Sequence, residues 1–561
     1  MIPFLIAAVF FFHASPQLAE RQFADPQTLK PIAVSSREAK QHQLSSGPLY
    51  VRLKAPPKPG SNELLGLSFD VIVDPAGAVI SAIAIPEKPE PPPELVTQAE
   101  SLVRALKFKP FERDGHAITA GFQTYVGVLP PELKPAQHVS FPKVRDWKSV
   151  RITLHRTMGA FGHAPAYTVE ILGDGQVFYN GEYLVAFAGK HRAVVPREQV
   201  VELVKLFARA NFYSLADKYA LGNSEGPQVT TSIQINGRRK QLLDISGVAV
   251  GMPLAAGRLE EAIDRIAGSE RWVHGNTETL AALQAEPWDL ISHSAAVALA
   301  RLADFGDPDV ALELIHAGTP LDGSASRTHV DLEGSCCTAL GYAAKHGDLK
   351  LMQALLDAGA AANPEIMDRA LFDSASGGNV DAFHLLLANG ASVKTHDPGG
   401  WTLLMAAASS GSPAMLKEIL KSDKDVNAIA HPSVPPCESE DRWEKLAKEC
   451  SPPESSGHTA LMEAIYLSDY ENSQEQVDRA EVVRLLLAAG ADVNARDAEG
   501  DTALLFCHMN LELASLLLRA GADPNVRNHG GDTPLHLAGS DEMQRLLIEH
   551  GAVATTEAAK E

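Results

Sequence analysis

The 561-residue sequence has no long hydrophobic run in its interior and only five cysteines. A membrane-spanning helix needs about 20 consecutive apolar residues, so none is expected beyond the amino terminus. The cysteines form no C-x-x-C pair, which argues against a structural zinc site. Because five is an odd number, at least one thiol is free or pairs between chains.

Catalytic signatures are also missing. The sequence contains no G-x-S-x-G elbow, no G-x-x-x-x-G-K-[ST] or G-x-G-x-x-G phosphate loop, and no H-E-x-x-H zinc motif. Its Asp and Glu residues show no paired-carboxylate pattern. We therefore expect a protein that is not an enzyme and that uses neither a cofactor nor a metal ion. Convergent sites need no motif, so an enzyme remains the minor alternative.

The acidic residues are unevenly distributed. The net charge is −21, from 49 Lys and Arg against 70 Asp and Glu. Residues 289–561 hold 19 basic and 42 acidic residues, a net charge of −23, whereas residues 21–151 hold 17 and 13, a net charge of +4. An acidic surface repels nucleic acid and anionic lipid. The composition therefore predicts no nucleic-acid partner and favours proteins with neutral or basic faces.

The amino terminus is apolar from Ile2 to Phe12, with Pro3 as the main interruption. This length fits the apolar region of a secretory signal, and the small residues Ala14 and Ser15 offer a cleavage point. Residues 1–15 are thus predicted to be a signal peptide, so that the chain is periplasmic or otherwise exported. The alternatives are a fortuitous apolar start and a short, uncleaved inner-membrane anchor, the one case in which a membrane would be a partner.

Two cysteines, Cys437 and Cys450, flank a polar insertion. In an oxidising compartment, a disulfide between them would close a long loop. Two unpaired loop thiols are the alternative.

A short motif recurs through the carboxy-terminal half, and its clearest copy is G-D-T-P-L-H-L-A at 531–538. Degenerate copies begin at Thr338, Thr402, Thr459 and Thr502. A Leu-rich helix that ends in Gly recurs in phase with them. The pattern resembles the ankyrin repeat. It predicts an all-α solenoid over residues 289–556, with insertions near 430–456 and 468–478 and seven units that end at Gly318, Gly359, Gly390, Asp423, Gly490, Gly521 and Gly551.

Each part of the motif has a physical role. Thr caps the free amide groups at the start of a helix. The terminal Gly takes the left-handed conformation that ends the second helix, and the following Asp, Asn and Gly residues turn the chain. One unit cannot bury its apolar face alone, so neighbouring units must stack.

The resemblance also implies a binding face. In ankyrin proteins the residue before the capping Thr tends to lie on the concave, partner-facing side. Besides Cys337, these positions are Trp401, His458, Asp501 and Asp532, which we expect to contact a protein partner. Trp401 is a candidate hot spot, although it could instead pack against the next turn. His458 is interpreted as a surface residue rather than a metal ligand.

Residues 47–131 show a β-β-α-β order, with strands predicted over 67–73, 78–85 and 120–128 and a helix over 94–106. Val73, Asp74 and Gly77, with Phe108, Pro110 and Gly115, resemble the carboxy-terminal domain of TonB-type energy transducers. A transducer also needs a membrane anchor and a long Pro-rich spacer, and this chain has few residues before the domain. We therefore interpret the region as a related fold without that function.

Residues 146–273 are predicted to form a second α+β domain. Strands are expected over 150–155, 167–171, 176–179, 229–235 and 240–245, with helices over 196–210 and 254–266. The region resembles an uncharacterised domain of exported bacterial proteins with the motif Arg-x-x-x-Cys-Phe-Gly-x-Cys-Pro-x-Tyr. Here both cysteines are alanines, Ala160 and Ala164, so thiol chemistry is absent. Arg156, His163 and Tyr167 could form a small polar pocket or simply hold the loop.

The sequence therefore predicts two small α+β domains followed by an all-α ankyrin solenoid. The leading hypothesis is an exported adaptor that holds a protein on the concave ankyrin face. The alternatives are an envelope energy-coupling or transport component and an enzyme with a site near Arg156–Tyr167.

Overall fold

The computed structural model describes residues 31–34, 39, 42–44, 49–53, 66–86, 91–113, 116–159, 164–220, 226–325, 337–393, 400–430, 457–466 and 479–553. The chain divides into two compact units, Met1–His274 and Gly275–Glu561. The predicted leader, Cys437, Cys450, His163 and nearly all of both insertions fall outside the described residues. None of the helices in these ranges combines the length and the apolar character needed to cross a bilayer.

A five-stranded sheet opens the first unit. Its strands are β1 (Ile32–Ala33), β2 (Tyr50–Arg52), β3 (Gly66–Val73), β4 (Val79–Ala84) and β7 (Ala120–Leu129). Strands β3 and β4 pair antiparallel, β3 also pairs antiparallel with β7, and both β1 and β2 run parallel to β7. A small hairpin, β5 (Phe111–Arg113) and β6 (His116–Ile118), precedes β7. The predicted β-β-α-β order is present. The short β1 and β2 escaped prediction because two or three residues cannot display a period-two pattern.

Helix α1 (Pro93–Arg104) packs on one face of this sheet. It buries Leu95, Ala99 and Val103, which lie at helical spacing. Alternate residues of β3, including Leu67, Phe69 and Val71, belong to the same core. The period-two and period-3.6 patterns in the sequence therefore meet in one apolar layer.

A seven-stranded sheet follows in the same unit, in the order β11-β10-β9-β8-β13-β14-β12. Neighbours pair antiparallel except β12 and β14, which are parallel. The strands are β8 (Arg151–Arg156), β9 (Ala166–Leu172), β10 (Gln176–Tyr183), β11 (Gly189–Val194), β12 (Lys218–Ala220), β13 (Val229–Ile235) and β14 (Arg238–Ile245). The edge strands β11 and β12 were not predicted, whereas the five inner strands were.

Helices α2 (Arg197–Arg209), α3 (Leu254–Ala267) and α4 (Glu270–Val273) complete this region. The turn between β13 and β14 places Asn236 at φ +49° and Gly237 at φ +80°. Two central residues with positive φ are typical of the type I′ hairpin that Asn-Gly favours, as the sequence predicted.

The second compact unit, Gly275–Glu561, is helical. After α5 (Thr279–Gln284), seven successive repeat units can be traced among its described residues, and they are numbered from first to seventh below. Their first helices are α6 (His293–Phe305), α8 (Ala339–His346), α10 (Pro364–Ser376), α12 (Leu403–Ser410), α14 (Ala460–Tyr466) and α17 (Pro534–Leu537). Their second helices are α7 (Pro308–His316), α9 (Leu349–Asp357), α11 (Val380–Ala388), α13 (Pro413–Ile419), α15 (Arg479–Ala488), α16 (Leu511–Arg519) and α18 (Asp541–Glu549). A two-stranded hairpin, β15 (Ser324–Ala325) and β16 (Cys337–Thr338), links the first two units.

Two junctions depart from the regular pattern. In the sixth unit a turn over residues 503–506 replaces the first helix, with an i to i+3 bond from the Leu505 amide to the Thr502 carbonyl. Between the second and third units only a short 3-10 turn, Ala360–Ala362, and the capping residue Asn363 follow Gly359. The third unit therefore begins without the longer connection that precedes the sixth and seventh units.

The ends of the second helices confirm the predicted role of glycine. Gly318, Gly359, Gly390, Gly490, Gly521 and Gly551 all have φ between +82° and +102°. At Gly521 the next amide, of Ala522, returns to the Leu517 carbonyl at 3.0 Å, which is a Schellman closure. Asp423 is the exception: it is not among the positive-φ residues, and its amide donates to the Ile419 carbonyl at 2.9 Å.

Candidate partner-binding face of the repeat array

Four equivalent positions carry the predicted partner-binding residues. Each follows a glycine of positive φ, at Gly400, Gly457, Gly500 and Gly531. Three of them precede a threonine whose side-chain oxygen accepts a hydrogen bond from the amide three residues later, at Thr402, Thr459 and Thr533. At Thr502 the backbone carbonyl accepts instead, from the Leu505 amide. The motif therefore places these residues in equivalent positions, as the repeat resemblance implied.

Three of the four residues reach the surface. Trp401, Asp501 and Asp532 are half-buried. This degree of burial leaves part of each side chain available to a partner, so the prediction that they contact one stays open.

His458 is different, and the expectation that it is a surface residue is wrong. Its side chain is 0% exposed. Its Nδ1 lies 2.7 Å from Oε1 of Glu463, and its Nε2 lies 3.4 Å from Oδ2 of Asp497. Tyr466 and Phe506 pack against the ring, each with a centroid separation of 5.3 Å. A ring in this setting cannot touch a partner directly.

The charge state of His458 follows from these neighbours. Burial alone would lower its pKa, because burial disfavours the charged imidazolium. Hydrogen bonding and the charges of Asp497 and Glu463 outweigh that penalty and raise the pKa of His458 to about 9. At neutral pH the ring is therefore a buried cation between two carboxylates.

Asp497 connects this cation to the surface row. Its Oδ1 accepts hydrogen bonds from the backbone amides of Glu499, at 2.9 Å, and Asp501, at 2.7 Å. Asn528 repeats the arrangement one unit later, where its Oδ1 accepts from the Asp532 amide at 2.8 Å. Both side chains thus shape the turns that carry the predicted binding residues.

The two turns are also joined to each other. The side-chain amide of Asn528 donates to Oδ1 of Asp501 at 2.8 Å. The backbone amide of His529 donates to the Glu499 carbonyl at 2.9 Å. Arg496 donates to the carbonyls of Gly500, at 3.2 Å, and Arg527, at 2.9 Å. These bonds connect the turns of the sixth and seventh units to each other.

Asp501 lies in a crowded negative environment. Burial raises its pKa, the hydrogen bond from Asn528 opposes that rise, and the charges of Asp497, Asp532 and Glu499 add to it. Asp532 itself contacts His536, with 2.6 Å between Oδ1 and Nδ1. The exposed part of these turns therefore presents carboxylates.

A second line of contacts joins the same repeats at the ends of the second helices. The side chain of Asn494 donates to the Gly521 carbonyl at 3.0 Å and accepts from the Asp523 amide at 2.9 Å. Asn427 makes the same pair of bonds with Gly490 and Asp492, and Asn525 makes it with Gly551 and Val553. Because Asn427 reaches Gly490, the fourth and fifth units stack directly despite the first insertion between them.

The first insertion leaves the array at a narrow neck. The Gly457 amide donates to the Ala430 carbonyl, and the Ala430 amide donates to the His458 carbonyl, both at 2.9 Å. The chain thus departs and returns at one point, beside the buried ring of His458.

The other candidate cluster lies in the first compact unit, Met1–His274, on β8, β9 and α3. Arg156 donates to Oδ2 of Asp264 through Nε at 3.1 Å and Nη2 at 2.9 Å, and the Tyr167 hydroxyl donates to Oδ1 at 3.0 Å. All three side chains are buried. Sequence analysis grouped Arg156 with Tyr167 but did not include Asp264. Asp264 is about a hundred positions away, and no local sequence pattern connects it to the other two residues.

Burial dominates the electrostatics of this cluster. It raises the pKa of Tyr167 above its usual range, with the Asp264 charge acting in the same direction. Burial, helped by the charge of Asp244, raises the pKa of Glu260 well above its usual range. The charge of Arg156 is balanced by the Asp264 carboxylate, 2.9 Å away. This arrangement favours a structural role over a catalytic one.

Within the described ranges, no group of three or more His, Cys, Asp or Glu side chains is arranged to hold a metal ion. The Cys507 thiol donates to the Ala503 carbonyl at 3.6 Å, and burial raises the pKa of Cys337 to about 12. Ala164, at one of the two replaced cysteine positions, is buried.

Comparison with known proteins finds family matches in two regions of the chain. Residues 150–267 match a family described as a domain of unknown function (DUF6438). Residues 340–430, 371–497 and 473–558 match the family described as ankyrin repeats (3 copies).

The chain is also similar to the human protein named ankyrin repeat and SOCS box protein 6. The identity is 31% over 152 residues, which cover 25% of this chain and 35% of that protein. The match thus spans about a third of the length of that relative. Together with the family match, it identifies the carboxy-terminal region of this chain as an array of ankyrin repeats.

Proposed function

We propose that this chain is an exported, non-catalytic adaptor that holds a protein partner against the row Trp401, Asp501 and Asp532. The cross-linked turns of the sixth and seventh units carry the proposal, because Asn528 ties Asp501 to the turn of Asp532. A surface that is already ordered loses little conformational entropy when a partner binds. Ankyrin repeats typically bind proteins, which favours this class of partner.

The charge of the array indicates what kind of protein it binds. Residues 289–561 carry a net charge of −23, and carboxylates crowd around Asp501. Complementary charge accelerates association and excludes acidic competitors. The proposed partner therefore presents a basic or neutral face, while nucleic acid is repelled.

The proposal has two parts that can fail separately. Export rests on the apolar run Ile2–Phe12 and the small residues Ala14 and Ser15. Fractionation of cells with a carboxy-terminally tagged chain, with intact mass of the recovered protein, tests it. A chain cut near Ala14 or Ser15 in the soluble envelope fraction supports export, and an uncut cytosolic chain contradicts it.

Partner binding is tested by site-specific photo-crosslinking. A photoreactive side chain is placed at Trp401 or Asp501 and, as a control, at Lys350, whose exposed side chain lies on the second helix α9. We expect one crosslinked protein from the first two positions and not from the third. The partner is then purified, and Asp501→Lys should weaken its binding while Lys350→Glu should not. Equal crosslinking at all three positions would place the binding face elsewhere.

An energy-coupling role is the second candidate. It rests on the β3-β4-α1-β7 order, together with the resemblance of residues 47–131 to the TonB-type domain. An uncut chain in the inner membrane that captures an outer-membrane receptor would support this role. A soluble, cleaved chain would exclude it.

An enzyme near Arg156 is the remaining alternative. The burial of Arg156, Tyr167 and Asp264, each engaged with another, argues against it, since reacting groups must reach a substrate.

A further inference from the structure

A continuous line of polar contacts crosses three repeats beneath the proposed binding face. It starts at His458, whose Nε2 faces Oδ2 of Asp497 at 3.4 Å. The other oxygen of Asp497 accepts the Asp501 amide, and the Asp501 side chain accepts from Asn528. Asn528 in turn accepts the Asp532 amide. We call His458, Asp497, Asp501, Asn528 and Asp532 the hairpin relay.

We propose that the hairpin relay makes the turns of the sixth and seventh units one rigid recognition element, with His458 as the positioning residue that fastens it to the root of the first insertion. The inference rests on the proposed function, because it assigns how the partner-binding face is held. His458 acts through Asp497 and touches no partner itself, since its side chain is buried.

The carboxylate of Asp497 is the central link. Its two oxygens have separate tasks: Oδ2 faces the His458 cation, while Oδ1 receives the amides of Glu499 and Asp501. A charged acceptor makes stronger hydrogen bonds than a neutral one. The His458 cation therefore orients the Asp497 carboxylate, and the turn depends on this contact.

Every element packed against His458 contributes to this arrangement. Helix α14 supplies Glu463 and Tyr466, the turn of the sixth unit supplies Asp497, and Phe506 closes the other side of the ring. Beyond Asp497 stand the carboxylates of Glu499, Asp501 and Asp532, whose charges act on one another. Without the His458 cation, the buried Asp497 carboxylate would lose the positive charge that faces it, and a buried charge without compensation costs free energy.

The position of His458 explains why the relay starts there. The carbonyl of His458 accepts the Ala430 amide at the neck of the first insertion. The neck, the start of α14 and the next turn thus converge on one residue. The relay consequently passes from the insertion root towards Asp501 and Asp532.

Amide hydrogen exchange of the full-length chain at pH 7 tests the relay without any partner. The variants are His458→Gln, which removes the cation, and Asn528→Ala, which breaks the link between the turns. Asn494→Ala is the matched control, because the Asn494 side chain also makes one donor and one acceptor bond but lies outside the relay. The free energy of unfolding of each variant is measured in parallel. Exchange rates are then compared at denaturant concentrations at which the variants have the same free energy of unfolding.

We expect His458→Gln to accelerate exchange of the Glu499 and Asp501 amides about tenfold or more, and Asn528→Ala to do so for the Asp532 amide, as local opening of a stabilised turn would produce. Asn494→Ala should leave all three amides within about threefold of wild type. Equal acceleration by Asn494→Ala, or none in His458→Gln and Asn528→Ala, overturns the relay. If His458→Gln does not fold, Asp497→Asn replaces it, because the amide oxygen retains the acceptor and loses the charge.

The outcome is separable from that of the proposed function. Selective acceleration without any crosslinked partner would keep the relay and remove the adaptor. Unchanged exchange with specific crosslinking would remove the relay and keep the adaptor.

Discussion

His458 and Glu463 form a buried ion pair five residues apart, with 2.7 Å between Nδ1 and Oε1 and neither side chain more than 1% exposed. Asp497 completes the group from the next repeat. Removing one member of such a group leaves an uncompensated buried charge, which costs several kcal/mol. The repeat that carries the first insertion therefore depends on one histidine.

The stability of the array should vary with pH through His458. Its pKa is raised from 6.5 to about 9 in the folded protein. The added stability is therefore fully present below about pH 6.5 and is lost as the pH rises through about 9. A shift of this size corresponds to about 3 kcal/mol. We expect the difference in unfolding free energy between wild type and His458→Gln to shrink between pH 6 and pH 9.5, as measured by urea unfolding.

His508→Gln is the control for this experiment, because His508 is exposed. The corresponding difference for His508→Gln should not follow the same trend. A wild-type advantage over His458→Gln that stays constant from pH 6 to pH 9.5 would contradict the ion-pair assignment.

Asn494→Ala should destabilise the array by about 1 kcal/mol, since it removes two solvent-exposed hydrogen bonds between repeats. Asn389 provides a matched control because its side chain bonds only locally, to the Leu385 carbonyl four residues back. Urea unfolding followed by far-ultraviolet circular dichroism measures both variants. A cost for Asn389→Ala as large as that for Asn494→Ala would argue that the bonds between repeats add nothing.

The same change, Gly to Ala, should have opposite effects at two positions. Gly521 has φ +95° and no atom within 4 Å of an added Cβ, so Gly521→Ala costs about 1–2 kcal/mol through backbone strain alone. Gly257 lies inside α3 and an added Cβ would meet only the Met252 methyl, at 3.9 Å. Gly257→Ala should therefore stabilise the first compact unit, Met1–His274, by about 0.5–1 kcal/mol. Differential scanning calorimetry distinguishes the two, and a shift of the same sign in both would be inconsistent with this explanation.

Arg156→Ala should cost about 3–5 kcal/mol, because it strands Asp264 without its partner in the core. Tyr167→Phe, which loses one hydrogen bond to the same carboxylate, should cost about 1.5–3 kcal/mol. Arg151→Ala is the control on the same strand, since its pair with Glu170 is largely exposed and should contribute under about 1 kcal/mol. Chemical denaturation measures all three.

The Arg156 cluster can also be tested for function. If a variant such as Tyr167→Phe folds and crosslinks its partner normally but abolishes a cellular phenotype, the result would support the enzyme alternative. An unchanged phenotype would leave the cluster with a structural role.

The repeat units were predictable because their signals are local. A threonine that accepts the amide three residues on, as Thr402 does from Met405, and a glycine of positive φ, as at Gly490, depend only on nearby chain. The Asn236-Gly237 turn was predictable for the same reason. Short edge strands such as β12 were not, because three residues carry no period and pairing with β14 is decided across the sheet.

The proposed binding face was only partly predictable. Sequence placed Trp401, His458, Asp501 and Asp532 in equivalent positions, and the structure keeps them there. Exposure, however, depends on what surrounds each position. Glu463, Tyr466 and Phe506 enclose His458. The sequence motif around residue 458 does not predict this burial.

The sequence by itself thus determined the repeat units, their helix ends and the sign of their charge, because caps, left-handed glycines and net charge are properties of short stretches or of composition. Only the tertiary structure decided that His458 is a buried cation, that Arg156 finds Asp264 across 108 positions, and that Asn528 joins two turns. Those outcomes follow from burial and charge compensation between residues that the chain brings together only when it folds.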